Sequence, residues 1–490
     1  MISFLKKNWI IFAVFILIVA VSAGFSIYRS SVTSLLSKSE YTELYNTIKD
    51  NAESGAFSTQ ASLSSYITRW ADNAGVSYEK DAYGNIIFAR EASGRKKNLP
   101  PVLICVSYNY ETVKENANLI AGAAMIAKSD IASGSRTVIF FNDEQNNGTG
   151  YQSIDSSYLT GDQKIIYLDY GSSSYISTSS FGKEYSSVRI KAGRYEPECD
   201  SAVRVRISGI TSGVIGTGIS KHPDPVSALS TLFTRLKSKS VSFQLADFKV
   251  GQNGSMYPVS AEATIMLNSY ALPSFTKYID KRIKAWEKAY GKDYEDLSYT
   301  YEVIDDPEKL PTESYSRKAT ARLTNSLYTI QSGIYKYEEG DNIPEGRVAG
   351  DVCGINAITG MHAEDGYICI DLMTQAYSDA YMDRIMGDNT AAAELFDGTL
   401  KETASISRFL NSKDSLRRTM ISTYYKVNNS SAGGGSLKSD IDNYFTPCSY
   451  LAERNPKADI IHLRFNSDNA SAMINTLLCY IAFRGNNFIL

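Results

Sequence analysis

Hydrophobic positions along this chain change their rhythm twice. Residues 9–28 (WIIFAVFILIVAVSAGFSIY) run without a charge. As a helix they would be roughly 30 Å long, the thickness of a bilayer core. Residues 29–40 read as a polar tether or the start of a helix. Leu63, Ile67, Trp70 and Ala71 then fall at helical spacing and stop at Gly75. VSYEKDAYGNIIFAR reads as a hairpin turning at Tyr83-Gly84-Asn85. Three continuous apolar runs, 102–109, 137–144 and 164–171, read as buried strands, with a small-residue helix (ANLIAGAAMIAKS) between the first two. Beyond about residue 186 strict alternation takes over in SSVRIKAG, 202–210, SFQLADFKVGQNG and AEATIMLNSY, with amphipathic helices at 224–238 and 275–290.

Buried strands alternating with helices predict an α/β domain on a mostly parallel sheet, with its ligand crevice at the carboxyl ends of the strands. The alternating stretch predicts an inserted α+β domain with one exposed sheet face. The expected division is a cytoplasmic N-terminus (1–8), an anchor (9–28), a tether (29–40), the α/β domain in two parts (41–186 and 405–490) and the insertion (187–404). SSAGGGS (430–436) reads as a flexible loop. Lys6 and Lys7 place the N-terminus in the cytoplasm and the bulk of the chain outside, at the cell membrane. Val21-Ser22-Ala23 would suit a signal peptidase, but the apolar stretch continues to Tyr28, which favours an uncleaved single-pass anchor.

Composition narrows the chemistry. With 50 Lys and Arg against 53 Asp and Glu, a net charge of −3 over 490 residues offers no attraction for nucleic acid. Six cysteines without a CxxC pair argue against a zinc ribbon, an iron–sulfur site or a disulfide scaffold. Cys353 and Cys369, in VCGINAI and GYICIDL, are candidates for a disulfide across neighbouring strands. Three histidines leave little from which to build a His-rich metal centre. Of these, His222 and His362 read as turn and loop residues and His462 as a strand residue in DIIHLRF. Trp70 and Trp286 read as core.

Four segments fall at the ends of the buried strands: YNYETV (108–113), NANLIAG (116–122), NDEQNNGTG (142–150) and YLDYG (167–171). With the DAYGNIIF hairpin, ISGITSGVIGTGISKHPDPVSAL (207–229) and GQNGSMYPVSA (251–261), their collinear order resembles the dinuclear-zinc exopeptidases. The branch concerned is the aminoacyl-histidine dipeptidase, or cytosolic non-specific dipeptidase, family. The resemblance implies a zinc-exopeptidase-like domain with an inserted lid and dimerisation domain. It also implies a site of two zinc ions, a general base and lid groups that stabilise the scissile carbonyl.

Residue by residue, that site is expected to be degenerate. The His-x-Asp pair of the family is matched by Asn109-Tyr110-Glu111, the bridging aspartate by Asn118, and the Glu-Glu pair by Glu144-Gln145. Asp169 matches an aspartate ligand, Phe465 stands at the last histidine ligand, and Val214 and Ser255 stand at the lid positions. Amides present one neutral oxygen where zinc prefers imidazole, thiolate or carboxylate. No bound zinc is therefore expected, and Glu144 and Glu111 are read as vestigial catalytic groups. The expectation is a membrane-anchored, extracytoplasmic pseudoenzyme. Its partners would be the lipid bilayer through 9–28, a second copy through the lid-like domain, and a peptide or protein in the cleft. Two rivals remain open. One is an active zinc-dependent dipeptidase with ligands rearranged among His462, Asp169, Glu144 and Glu111. The other is a surface-complex component whose cleft is filled by Tyr108 and Tyr110. Glu111 with Asp143 is a further candidate for a single hard cation.

Overall fold

The three continuous apolar runs form the centre of one sheet because each strand is buried on both faces. The computed structural model describes residues 35–484, apart from 145–147, 211–222, 252–257, 345, 429–436 and 441. Strands β1 (Glu79–Lys80), β2 (Ile86–Arg90), β3 (Val102–Tyr108), β4 (Arg136–Asn142), β5 (Lys164–Tyr170) and β6 (Tyr175–Ser177) join strands Lys438–Asp440 and Asp459–Phe465. The sheet runs β1-β2-β4-β3-β5, then Asp459–Phe465, β6 and Lys438–Asp440. Its four central strands are parallel. The hairpin β1–β2 adds antiparallel to one side, and β6 meets Asp459–Phe465 antiparallel on the other. The fold is thus α/β on a mostly parallel sheet.

Alternation sorts the central strands into two faces. Val102, Ile104, Val106, Tyr108, Ile166, Leu168, Ile461, Leu463 and Phe465 share one core with helices Lys38–Glu53, Gln60–Ala74, Val113–Lys128, Ser415–Asn428 and Ala470–Phe483. The opposite face carries Tyr167, Asp169, His462 and Arg464. Helix Lys38–Glu53 starts within the stretch 29–40 that reads as a tether or the start of a helix, of which 29–34 lie outside the described residues. Tyr41, Leu44 and Ile48 bury a helical stripe, and Leu36 is buried ahead of it with its N–H on Asn475 Oδ1 at 3.2 Å. The expected anchor, 9–28, and the SSAGGGS loop lie outside the described residues. Among the described residues, no helix is long and apolar enough to cross a membrane.

The chain divides into two compact units: Met1–Ser179 with Leu410–Ile441 and Tyr450–Leu490, and Ser180–Phe409 with Asp442–Ser449. The second unit has two antiparallel sheets. One orders Phe243–Gly251, Ser260–Leu267, Ser201–Ser208 and Ser298–Ile304. The other orders Gly333–Lys336, Val352–Glu364, Tyr367–Ala376, Gly182–Lys191 and Gly398–Ile406. Val203, Val205 and Ile265 of the first sheet share a core with Val188, Ile370 and Leu372 of the second.

Two cysteine and histidine expectations change here. Cys353 and Cys369 lie on paired strands, but the register sets Cys369 opposite His362, nine positions along from Cys353. At 3.3 Å per residue that is roughly 30 Å, far beyond the ~7 Å a disulfide tolerates. Both thiols are free and buried. His362 is an exposed strand residue, not a loop residue.

At the amino end of the parallel strands, Asp459 is fully buried and receives four donors. Lys164 Nζ lies at 2.8 Å, Ser415 Oγ at 2.6 Å, the Leu416 N–H at 3.1 Å and Asn411 Nδ2 at 2.9 Å. Burial raises its carboxyl, but these hydrogen bonds and the Lys164 charge outweigh burial and hold it below the ordinary value. The carboxylate thereby also serves the N-terminus of helix Ser415–Asn428. Replacing Asp459 with Ala leaves Lys164 and these donors without it. The expected loss is about 3–5 kcal/mol of unfolding free energy, read by urea titration. A loss below about 1 kcal/mol would contradict this account.

Candidate functional site

Parallel strands β3, β4, β5 and Asp459–Phe465 end on the same side of the sheet, and Asn109, Glu111, Glu144, Asp169 and Phe465 stand on or just after those ends. Asn109 follows β3 and is buried. Its amide is used inside the loop: Nδ2 donates to the Asp143 carbonyl at 2.9 Å, and Oδ1 accepts the Glu111 N–H at 2.8 Å. Gln60 fastens the same loop from helix Gln60–Ala74. Its Nε2 donates to the Tyr108 carbonyl at 3.0 Å and Asn142 Oδ1 at 2.8 Å, and its Oε1 accepts the Tyr110 N–H at 3.0 Å. Tyr108 points into the core and donates to the Gly84 carbonyl at 2.5 Å. Tyr110 donates to Glu111 Oε1 at 3.2 Å, and the Glu111 charge pushes the Tyr110 hydroxyl up. Glu111 and Glu144 are exposed, and the Glu144 N–H bonds Asn142 Oδ1 at 3.3 Å. Gln145, Val214 and Ser255 lie outside the described residues, as does His222.

Asn118 lies in helix Val113–Lys128, against the covered face of the sheet. Its Oδ1 accepts the Tyr41 O–H at 2.9 Å. Burial, with Tyr45 and Tyr170 nearby, pushes the Tyr41 hydroxyl well above its ordinary value and keeps it a donor. Phe465 is a fully buried core residue on that same face. Its side chain therefore belongs to the apolar packing rather than to a polar site.

Asp169 faces the other way. The register pairs it with Arg464 across the parallel ladder, and His462 lies two residues along the same face. His462 Nε2 is 3.3 Å and Arg464 Nε 3.6 Å from Asp169 Oδ2, while Oδ1 accepts the Tyr170 N–H at 2.8 Å. Burial raises the Asp169 carboxyl, but the His462 hydrogen bond and charge, the Arg464 charge and the Tyr170 amide outweigh it and hold it low. His462 is fully buried, with its ring 5.2 Å from that of Tyr167 and 5.8 Å from that of Tyr175. Gly171 makes room for the guanidinium, since a Cβ there would stand 1.9 Å from Arg464 Nε.

Among the described residues, these groups are a poor match for the two zinc ions that the resemblance implies. Both described amide oxygens accept hydrogen bonds from the protein, and Asp169, the carboxylate matched to a metal ligand, faces an internal arginine. Among the described residues, the one cluster of three His, Cys, Asp or Glu donors is His362, Glu364 and Cys369 in the second unit. Two cavities of the first unit lie elsewhere. One of about 330 Å³ is lined by Arg90, Asp130 and Arg136, and one of about 250 Å³ by Glu40, Trp70 and Lys128. Sequence reasoning missed Tyr41, Gln60 and Arg464. An arginine inside the apolar run DIIHLRF was the available signal, because a buried charge requires a partner.

No protein-family model and no curated protein matches the sequence. Solved structures do. Aminoacylhistidine dipeptidase from Vibrio alginolyticus is 13% identical at a TM-score of 0.55, over 92% of this chain and 97% of that one. Aminopeptidase PepT from Bacillus cereus is 8% identical at 0.46, over 92% and 99%. A dinuclear metal-binding peptidase of the M20 family from Bacillus subtilis is 9% identical at 0.38, over 91% and 99%. At such identities the likeness concerns fold alone, and the first of the three carries it. The chain has an α/β fold similar to that of aminoacylhistidine dipeptidase.

Because the Asp169 carboxyl is held low in the fold, its pairing contributes stability above about pH 4 and loses it as the pH falls through the depressed value. Arg464→Met is expected to cost about 3 kcal/mol at about pH 7. In urea titrations the gap to the unsubstituted chain should narrow toward about pH 3. A pH-independent gap would mean that Arg464 acts through packing alone.

Proposed function

We propose that this chain is a peptidase-fold protein that binds a peptide or protein partner without hydrolysing it, held at the extracytoplasmic face of the cell membrane by residues 9–28. The observation that carries the reading is the Arg464 guanidinium beside Asp169. A peptidase of this fold that uses zinc needs its carboxylates to receive metal charge, and here an arginine supplies positive charge from within the chain. Zinc-bound water is what gains a pKa near ~7 in hydrolases of this kind. Without it, Glu144 has no activated water to deprotonate and Glu111 no metal to support. The amide contacts of Asn109 and Asn118 favour the same reading. A second copy, docked through the lid-like second unit, is the oligomer this reading proposes.

The test is dipeptide hydrolysis by the full-length chain in detergent, with and without added zinc, against a Glu144→Gln control. The expected result is no turnover above the control under either condition. Zinc-dependent turnover that disappears in Glu144→Gln would replace this reading with an active dipeptidase. Calorimetric titration with the same dipeptides should show binding without hydrolysis if the cleft still receives peptides. An absence of heat directs the search to a protein partner.

A further inference from the structure

The hairpin of strands Val352–Glu364 and Tyr367–Ala376 turns through Asp365 and Gly366, at φ 49° and 78°. A two-residue turn with both positions at positive φ fixes the register. That register sets His362 opposite Cys369 and Gly360 opposite Asp371, with Glu364 two residues beyond His362. All four side-chain-bearing positions share one face of the hairpin. On the next strand, Arg189 stands opposite Cys369 and Ser187 opposite Asp371.

One nitrogen of His362, one carboxylate oxygen of Glu364 and Cys369 Sγ lie within 4.8 Å of one another. Cys369 Sγ is 3.9 Å from Glu364 Oε2. In a tetrahedron with bonds of ~2.3 Å to sulfur and ~2.0 Å to oxygen, that edge is roughly 3.5 Å. The trio is therefore close to the spacing a zinc-type ion requires.

A supporting layer lies behind it. Asp371 Oδ2 is 3.0 Å from His362 Nδ1, and its Oδ1 accepts from Ser187 Oγ at 3.0 Å. A Cβ at residue 360 would stand 2.8 Å from Asp371 Oδ2, so Gly360 leaves the carboxylate its path to the imidazole. A carboxylate holding one ring nitrogen is the usual companion of a metal-ligating histidine, because it fixes the tautomer and the ring. Arg189 is the competing cation, 3.6 Å from Glu364 Oε2, but a part-exposed pair of that length is weak. Burial pushes the Cys369 thiol up, and Arg189 draws it part of the way back.

We propose that this hairpin face binds a single zinc-class cation through His362, Glu364 and Cys369, with Asp371 as the residue that positions the imidazole. The mixture of thiol, imidazole and carboxylate selects zinc or cobalt over calcium and magnesium, which take oxygen ligands. Binding displaces the thiol proton to solvent and forms the metal–sulfur bond without any redox change.

The experiment is a cobalt(II) titration of the full-length chain under reducing conditions. The expected result is a thiolate-to-cobalt charge-transfer band in the near ultraviolet, saturating at one cobalt per chain and removed by added zinc. Cys369→Ser should abolish the band and Cys199→Ser should retain it. Asp371→Asn should weaken cobalt binding by about 10–100-fold. His362→Gln, an exposed substitution that leaves the core untouched, should weaken binding at least as much. No band with the unsubstituted chain, a band that survives Cys369→Ser, or unchanged affinity in His362→Gln would each overturn the proposal. Dipeptide turnover is a separate readout, so failure here leaves the reading of the crevice standing, and the reverse holds too.

Discussion

A carboxylate at the end of a parallel strand can be neutralised from inside the protein or from outside it, and the two options compete. Arg464 supplies the inside option for Asp169. Two like unit charges about 4 Å apart repel by about 4 kcal/mol at an effective dielectric constant of ~20, and a doubly charged ion by about twice that. This is of the same order as the ~10 kcal/mol that an intact structural zinc site contributes. The ion pair is therefore a large term at this strand end. Gly171 leaves space for the guanidinium, while His462 Nε2 stands 3.3 Å from Asp169 and its ring is packed by Tyr167 and Tyr175.

Neutral groups elsewhere in the first unit reach a similar outcome. Asn118 accepts from Tyr41, and Asn109 ties the loop after β3 to the one after β4. An amide can satisfy a donor and an acceptor at once, which suits a buried loop junction but offers a cation one weak oxygen. The same residues that read as poor metal ligands thus read as good structural ones.

Much of the architecture was legible from hydrophobic rhythm. The apolar runs at 102–109, 137–144 and 164–171 became β3, β4 and β5 within a residue or two, and the helices at 224–238 and 275–290 lie where their periodicity put them. Buried strands announce themselves because both faces must be apolar. The helix at Lys38–Glu53 was less visible, since its stripe is narrow and charged and polar residues surround Tyr41, Leu44 and Ile48. Cys353 and Cys369 do lie on neighbouring strands, but their separation depends on register, which local pattern does not carry.

The sequence by itself determined the strand-and-helix order, the identities of the side chains at the strand ends and the long uncharged stretch at 9–28, since these depend on local pattern and residue chemistry. Only the tertiary structure decided that Asp169 meets Arg464 and that Asn118 meets Tyr41. It likewise decided that His362, Glu364 and Cys369 converge. These are contacts between segments whose partner is chosen by strand register and helix packing, and a shift of one residue would send each side chain to the other face.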